Sequence, residues 1–141
     1  MRSRSFETSS EEETVALGKQ LAGGLPPQAV VLLIGNLGAG KTTLAKGLVQ
    51  GLGAASPDDV SSPTFTLIHE YSPSVYHIDL YRLDEAHEVA RLGLDELFDR
   101  QAVVLIEWGE RFPELMPQNR WEIRIERLPD ERRRLTITEH P

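Results

Sequence analysis

Ala29-Val30-Val31-Leu32-Leu33-Ile34-Gly35-Asn36-Leu37-Gly38-Ala39-Gly40-Lys41-Thr42 is the most informative stretch of this chain. Its first six residues are apolar without alternation and rich in β-branched side chains. That pattern fits a strand buried on both faces, as in a parallel sheet. The next eight match G-x-x-x-x-G-K-[ST] at every fixed position. Glycines let such a turn curl so that successive backbone N–H groups point into one concavity, where phosphate oxygens accept them. The helix that follows adds the positive end of its dipole. A chance match is expected in on the order of half a percent of chains this long, with glycine at roughly 7% of residues. The context, after a buried strand and before a helix, is the one the motif requires.

Outward from this loop, strands and helices alternate. Phe6 to Thr8 reads as a short strand. Ser10 with Glu13 reads as a capping box, opening a helix with apolar Val15, Leu17, Leu21 and Leu25. A helix is expected from Lys41 to Leu52, ended by Gly53. Phe65 to Tyr71 and Val75 to Leu80 read as strands, and Asp84 to Arg91 and Asp95 to Phe98 as helices. Ala102 to Ile106 is a second buried-strand run. Trp121 to Arg127 and Arg133 to Thr138 alternate in twos around Leu128-Pro129-Asp130-Glu131, which predicts an antiparallel hairpin. The expected fold is α/β: a P-loop NTPase-type sandwich over residues 1–141 as a single domain. Its sheet is mostly parallel, with antiparallel flanks that include the C-terminal hairpin.

Composition narrows the function. The 141 residues carry 15 Lys and Arg against 22 Asp and Glu, a net charge of −7. A protein that grips a nucleic-acid backbone unaided needs a basic surface, so autonomous tight binding is not expected. Between Asp58 and Asp99 ten acids face two arginines, whereas between Arg120 and Arg134 six arginines face four acids. There is no cysteine, which excludes a disulfide scaffold, a thiol nucleophile and a cysteine-based zinc site. No apolar stretch approaches the ~20 residues of a membrane span, and Met1 to Glu7 lacks the apolar core of a secretory signal. No membrane association and a cytoplasmic location are the expectations.

Within the loop, Leu37, Gly38, Ala39, Gly40, Lys41, Thr42 and Thr43 are the candidate nucleotide contacts. Lys41 would reach the β- and γ-phosphates and the Thr42 hydroxyl would ligate Mg²⁺. Magnesium also needs an acid at the end of a neighbouring strand. Asp79, ending Val75-Tyr76-His77-Ile78-Asp79, and Glu107, ending Val103-Val104-Leu105-Ile106-Glu107, are the two candidates. Glu107 ends the more apolar strand, which predicts the drier carboxylate. Thr64, in Ser61-Ser62-Pro63-Thr64, is placed where a switch threonine could close on the metal and γ-phosphate. Trp108, beside Glu107, could pack in the core, stack on a ligand or anchor a partner. His69 and His77 read as packed or surface strand residues. One of Arg132-Arg133-Arg134 could reach the phosphates. Neither an Asn-Lys-x-Asp nor an Asp-x-x-Gly motif is present, so a GTPase is not indicated. A small-molecule or nucleoside kinase using the same loop, and a nucleotide-sensing switch, remain as alternatives.

Four motifs in order resemble one family. These are Gly35 through Leu44, Ser62-Pro63-Thr64-Phe65-Thr66-Leu67, His77-Ile78-Asp79-Leu80-Tyr81-Arg82-Leu83 and Glu107-Trp108. With a weaker fifth around Glu13, Thr14, Leu17 and Gly18, they are similar to the bacterial TsaE ATPases over about Ser10 to Arg134. The resemblance implies a weak Mg-dependent ATPase that supports formation of threonylcarbamoyladenosine on tRNA. It would act on the TsaB–TsaD pair, meet tRNA only through that complex, and not perform the transfer itself. ATP and Mg²⁺ are the implied cofactors. Lys41 and Thr42 are implied as phosphate and Mg²⁺ contacts and Asp79 and Glu107 as acids on the metal side; with Thr64, expected from its place in the loop, Lys41, Asp79 and Glu107 make the candidate catalytic set. Glu11 and Arg133 are implied as further nucleotide contacts.

Overall fold

A computed structural model describes residues 2–54 and 67–140. Among them seven strands form one sheet in the order β1-β7-β6-β2-β5-β4-β3. Their ranges are β1 Arg2–Thr8, β2 Ala29–Ile34, β3 Ile68–Ser72, β4 Val75–Asp79, β5 Val103–Glu107, β6 Arg120–Arg127 and β7 Arg133–His140. The helices are α1 Glu11–Ala22, α2 Lys41–Gly51, α3 Ala86–Ala90 and α4 Leu94–Phe98, with 3₁₀ turns at Gly109–Arg111 and Pro113–Leu115. Strands β6, β2, β5 and β4 run parallel; at the flanks β7 pairs antiparallel with β6, β1 antiparallel with β7, and β3 antiparallel with β4. The expected parallel centre with antiparallel flanks is therefore the observed fold.

Side chains of the central strands alternate between two layers. Val31, Leu33, Val103, Leu105, Ile123 and Ile125 face α1 and α2, and Leu17, Leu21, Leu44 and Leu48 close over them. Val30, Leu32, Val104, Ile106, Tyr76 and Ile78 face the other way and are covered by Val89, Leu94, Phe112 and Met116. A strand between two helical layers has no solvent face, which is why β2 reads as an unbroken apolar run.

The two large helices meet backbone to backbone. A Cβ added at Gly18 would lie 2.7 Å from the Leu44 carbonyl oxygen, and one at Gly47 would overlap the Val15 carbonyl. This close approach sets α2, and the loop before it, against the sheet. Ser10 caps α1 by accepting from the Glu13 N–H at 3.1 Å. The return bond of the expected capping box goes to Ser9 N–H instead, at 2.8 Å.

Element boundaries differ by a few residues, each for a local reason. β1 starts at Arg2 rather than Phe6 because its polar Arg-Ser-Arg-Ser segment pairs residue by residue with β7, from Arg2 opposite Glu139 to Thr8 opposite Arg133. An edge strand needs backbone partners, not an apolar face. α2 ends at its cap Leu52, followed by Gly53 at φ 73°, close to expectation. The expected strand from Phe65 is observed from Ile68, and Phe65 lies outside the described residues. Among the described residues no helix is long and apolar enough to cross a membrane.

Candidate nucleotide site

The C-terminal ends of β2, β4 and β5 open on the same side of the sheet, where a doubly wound fold places its ligands. Between them, the N-terminus of α2, the start of α1 and the β7 entry lies a cavity of about 480 Å³. Lys41, Thr42, Asp79 and Glu107 all line it, as do Glu11, Leu37, Gly38, Gly40, Thr43 and Arg133. Ser10, Thr14, Tyr81, Trp108 and Glu131 complete the wall. Ala39 is not exposed to the cavity. It is buried with the α1–α2 core, and its carbonyl accepts from Arg133 Nε at 2.8 Å. Thr64 lies outside the described residues.

The loop takes its shape from glycine. Gly38 and Gly40 have φ of 79° and 114°, the left-handed half of the map that side chains disfavour. A Cβ on Gly38 would meet nothing within 4 Å, so its constraint is the backbone angle, not space.

Parallel register brings the two acids together. Asp79 and Glu107 are Cα partners at the ends of β4 and β5, so their side chains share the α2-facing side. The expected difference in dryness is absent: Asp79 is 2% exposed and Glu107 3%. What separates them is their partners. Asp79 Oδ1 accepts the Tyr81 N–H at 2.8 Å. Glu107 Oε2 accepts from the Thr42 hydroxyl at 3.3 Å and contacts His77 Nε2 at 2.6 Å.

Lys41 is a buried cation with few polar contacts. It is 5% exposed, its Nζ donates to the Gly35 carbonyl at 2.7 Å, and it sits 3.5 Å from the centre of the Trp108 ring. Burial lowers its pKa from the ordinary 10.5, against the opposing pull of Glu107, Glu110 and Asp79. An anionic ligand would relieve that burial penalty. Trp108 is held over the ammonium by a left-handed backbone (φ 68°) and packs against Tyr81 at 5.1 Å between ring centres. It is half-buried and lines the cavity, so of its three expected placements the core alone is too simple.

The arginine run resolves by strand alternation. Arg133 points to the loop and also donates to the Glu131 carbonyl at 2.9 Å. Arg132 turns to Asp130 and Glu7 in exposed ion pairs. Arg134 lies on the opposite face of β7 from Arg133.

Two residues carry more than their sequence reading indicated. His77 takes the packed one of its two expected placements, completely buried, but it is also engaged with Glu107, which the reading did not include. Its place two positions before Asp79 marks the strand face it shares with that acid, though not its partner on β5. Glu110, in the turn after Trp108, has a buried Oε1 without a hydrogen-bond partner among the described residues, and no sequence pattern marked it.

The donor set fits magnesium with a nucleotide. One hydroxyl and two carboxylates supply hard oxygen ligands, and Mg²⁺ takes one or two carboxylates plus phosphate oxygens and waters rather than an all-protein cage. No sulfur or imidazole competes in that set.

Comparison with known proteins places the chain among relatives of one name and fold. Residues 8–135 match the family model described as threonylcarbamoyl adenosine biosynthesis protein TsaE. A Bacillus subtilis protein named tRNA threonylcarbamoyladenosine biosynthesis protein TsaE is 44% identical, over 98% of this chain and 87% of its own length. A Rickettsia conorii protein of the same name is 38% identical over 91% of this chain and 74% of its own length. The crystal structure of Bacillus subtilis YdiB superposes with a TM-score of 0.81 at 38% identity, covering 99% of this chain and 87% of that one. Matched by that family model over residues 8–135 and by these relatives over most of its length, this chain belongs to the TsaE family.

Proposed function

We propose that this protein is a weak, Mg²⁺-dependent ATPase that supports formation of threonylcarbamoyladenosine on tRNA by acting on the TsaB–TsaD pair. The observation that carries the reading is the convergence of Lys41, Thr42, Asp79 and Glu107 on one cavity at the ends of parallel strands. The relatives bear the name of that biosynthesis, which favours it over the nucleoside-kinase alternative.

In this reading the loop N–H groups and Lys41 bind the ATP phosphates, and Arg133 and the start of α1 at Glu11 flank the nucleotide. Thr42, Asp79 and Glu107 stand on the metal side, with Glu107 orienting the attacking water. Bound with the nucleotide, Mg²⁺ would neutralise charge on the phosphate oxygens. Thr64 would close on the γ-phosphate from the segment after α2. The acidic balance suits docking on a protein complex, with tRNA met only through it, in the cytoplasm.

The test is nucleotide turnover by the purified chain alone, with added nucleosides, and with the TsaB–TsaD pair. Stimulation by the pair and indifference to nucleosides is expected. Acceptor-dependent turnover with a phosphorylated nucleoside product would replace the reading with a kinase.

A further inference from the structure

The face of β4 and β5 that looks toward α2 is apolar except near the cavity. Val75, Val103 and Leu105 form it beneath the helix. His77 interrupts it, with no exposed surface, directly opposite Leu105. A polar ring in that layer costs free energy unless it is paired. Its Nε2 is 2.6 Å from Glu107 Oε2, and its Nδ1 has no hydrogen-bond partner among the described residues. A carboxylate only accepts, so the bond requires a proton on Nε2. The second donor, the Thr42 hydroxyl, reaches the same oxygen at 3.3 Å.

We propose that His77 is a positioning residue: its Nε2–H fixes the Glu107 carboxylate by Oε2, so that Oε1 is presented to the metal–nucleotide side of the cavity. The inference rests on the role proposed above for Glu107 and adds the residue that holds it. A carboxylate on three side-chain torsions at a strand end has several rotamers. One short bond from a ring that cannot itself move, because it is packed in the sheet, selects one of them. Partners of this kind behind a ligating or catalytic group typically contribute 10–100-fold. His77 touches no expected position of the nucleotide, so its loss should leave binding intact and slow turnover.

Three measurements test this. The first needs no activity: ¹⁵N NMR of the nucleotide-free protein should find the His77 proton on Nε2, shifted downfield, and that signal should move on Glu107→Gln. The second is steady-state ATP hydrolysis. His77→Leu should lower kcat at least tenfold while nucleotide affinity, measured by titration, changes less than threefold. The third is rescue. His77→Gln carries an amide N–H at nearly the reach of Nε2 and should recover most of the lost rate. The NMR measurement and the glutamine variant decide the question even where the leucine variant does not fold. A proton on Nδ1, a leucine variant with wild-type kcat per folded molecule, or a glutamine variant no better than leucine would each overturn the positioning role. Glu107→Gln run alongside separates the two levels of inference. Normal turnover in that variant removes the Glu107 reading itself, whereas a crippled Glu107→Gln beside a normal His77→Leu removes only the role of His77.

Discussion

Lys41 and Glu110 are two charges at the cavity end of the sheet that burial places at odds with their surroundings. Lys41 has a carbonyl and an aromatic face where a phosphate would be stronger. Charge-assisted hydrogen bonds contribute roughly 1.5–3 kcal/mol. Lys41→Ala should therefore weaken Mg-ATP binding by roughly 10–100-fold in a calorimetric titration while the protein stays folded. Unchanged affinity would remove the phosphate role. Burial holds the Glu110 carboxyl above the ordinary glutamate value of 4.5, opposed by its own backbone N–H, Lys41, Arg124 and Arg111. With a raised native pKa the folded state keeps its proton to higher pH than the unfolded chain, so stability falls as pH rises above 4.5. Below that value both states are protonated and the penalty vanishes. Glu110→Gln cannot ionise. Its urea midpoint should gain on wild type between pH 4 and pH 7, and a constant difference across that range would contradict the assignment.

At the scale of elements, the position of the phosphate loop depends on how closely α1 and α2 pack. Gly47 faces the Val15 carbonyl with no room for a methyl group, and the obstacle is backbone rather than a flexible side chain. Gly47→Ala must separate the helices, at about 1–3 kcal/mol for overpacking of this kind. The urea midpoint should fall, and Mg-ATP affinity should fall with it, because α2 carries Lys41 and Thr42 at its first turn. Loss of stability with unchanged affinity would show that the loop is held independently of the α1 contact. The C-terminal hairpin contributes differently. Its β6 joins the parallel centre beside β2, while β7 delivers Arg133 to the loop.

For the whole molecule, the net charge of −7 gives little purchase on a polyanion. The isolated chain should not retain tRNA at roughly 150 mM salt in a filter-binding assay, since non-specific affinity depends on neutralising phosphates. Tight retention would point to direct tRNA contact. The fold class, the loop, the paired acids and the terminal hairpin were all legible in the sequence. Each is encoded by a local pattern: an unbroken apolar run, a glycine spacing, an acid at the end of a strand, an alternation around a turn. Strand order was not so encoded, because β2 has its neighbours β6 and β5 far along the chain. The partnership of His77 with Glu107 depends on the parallel register of β4 against β5, which spacing along one strand cannot supply. The choice of Arg133 among three adjacent arginines follows from which face of β7 meets the loop. The unpartnered oxygen of Glu110 is likewise visible only once the turn after β5 is packed. Sequence alone determined the phosphate loop and the two strand-end acids that line the cavity, because composition and short-range periodicity are properties of the chain. Which of them touch was decided by tertiary structure, because contact distance and desolvation depend on elements brought together from 30 to 94 residues apart.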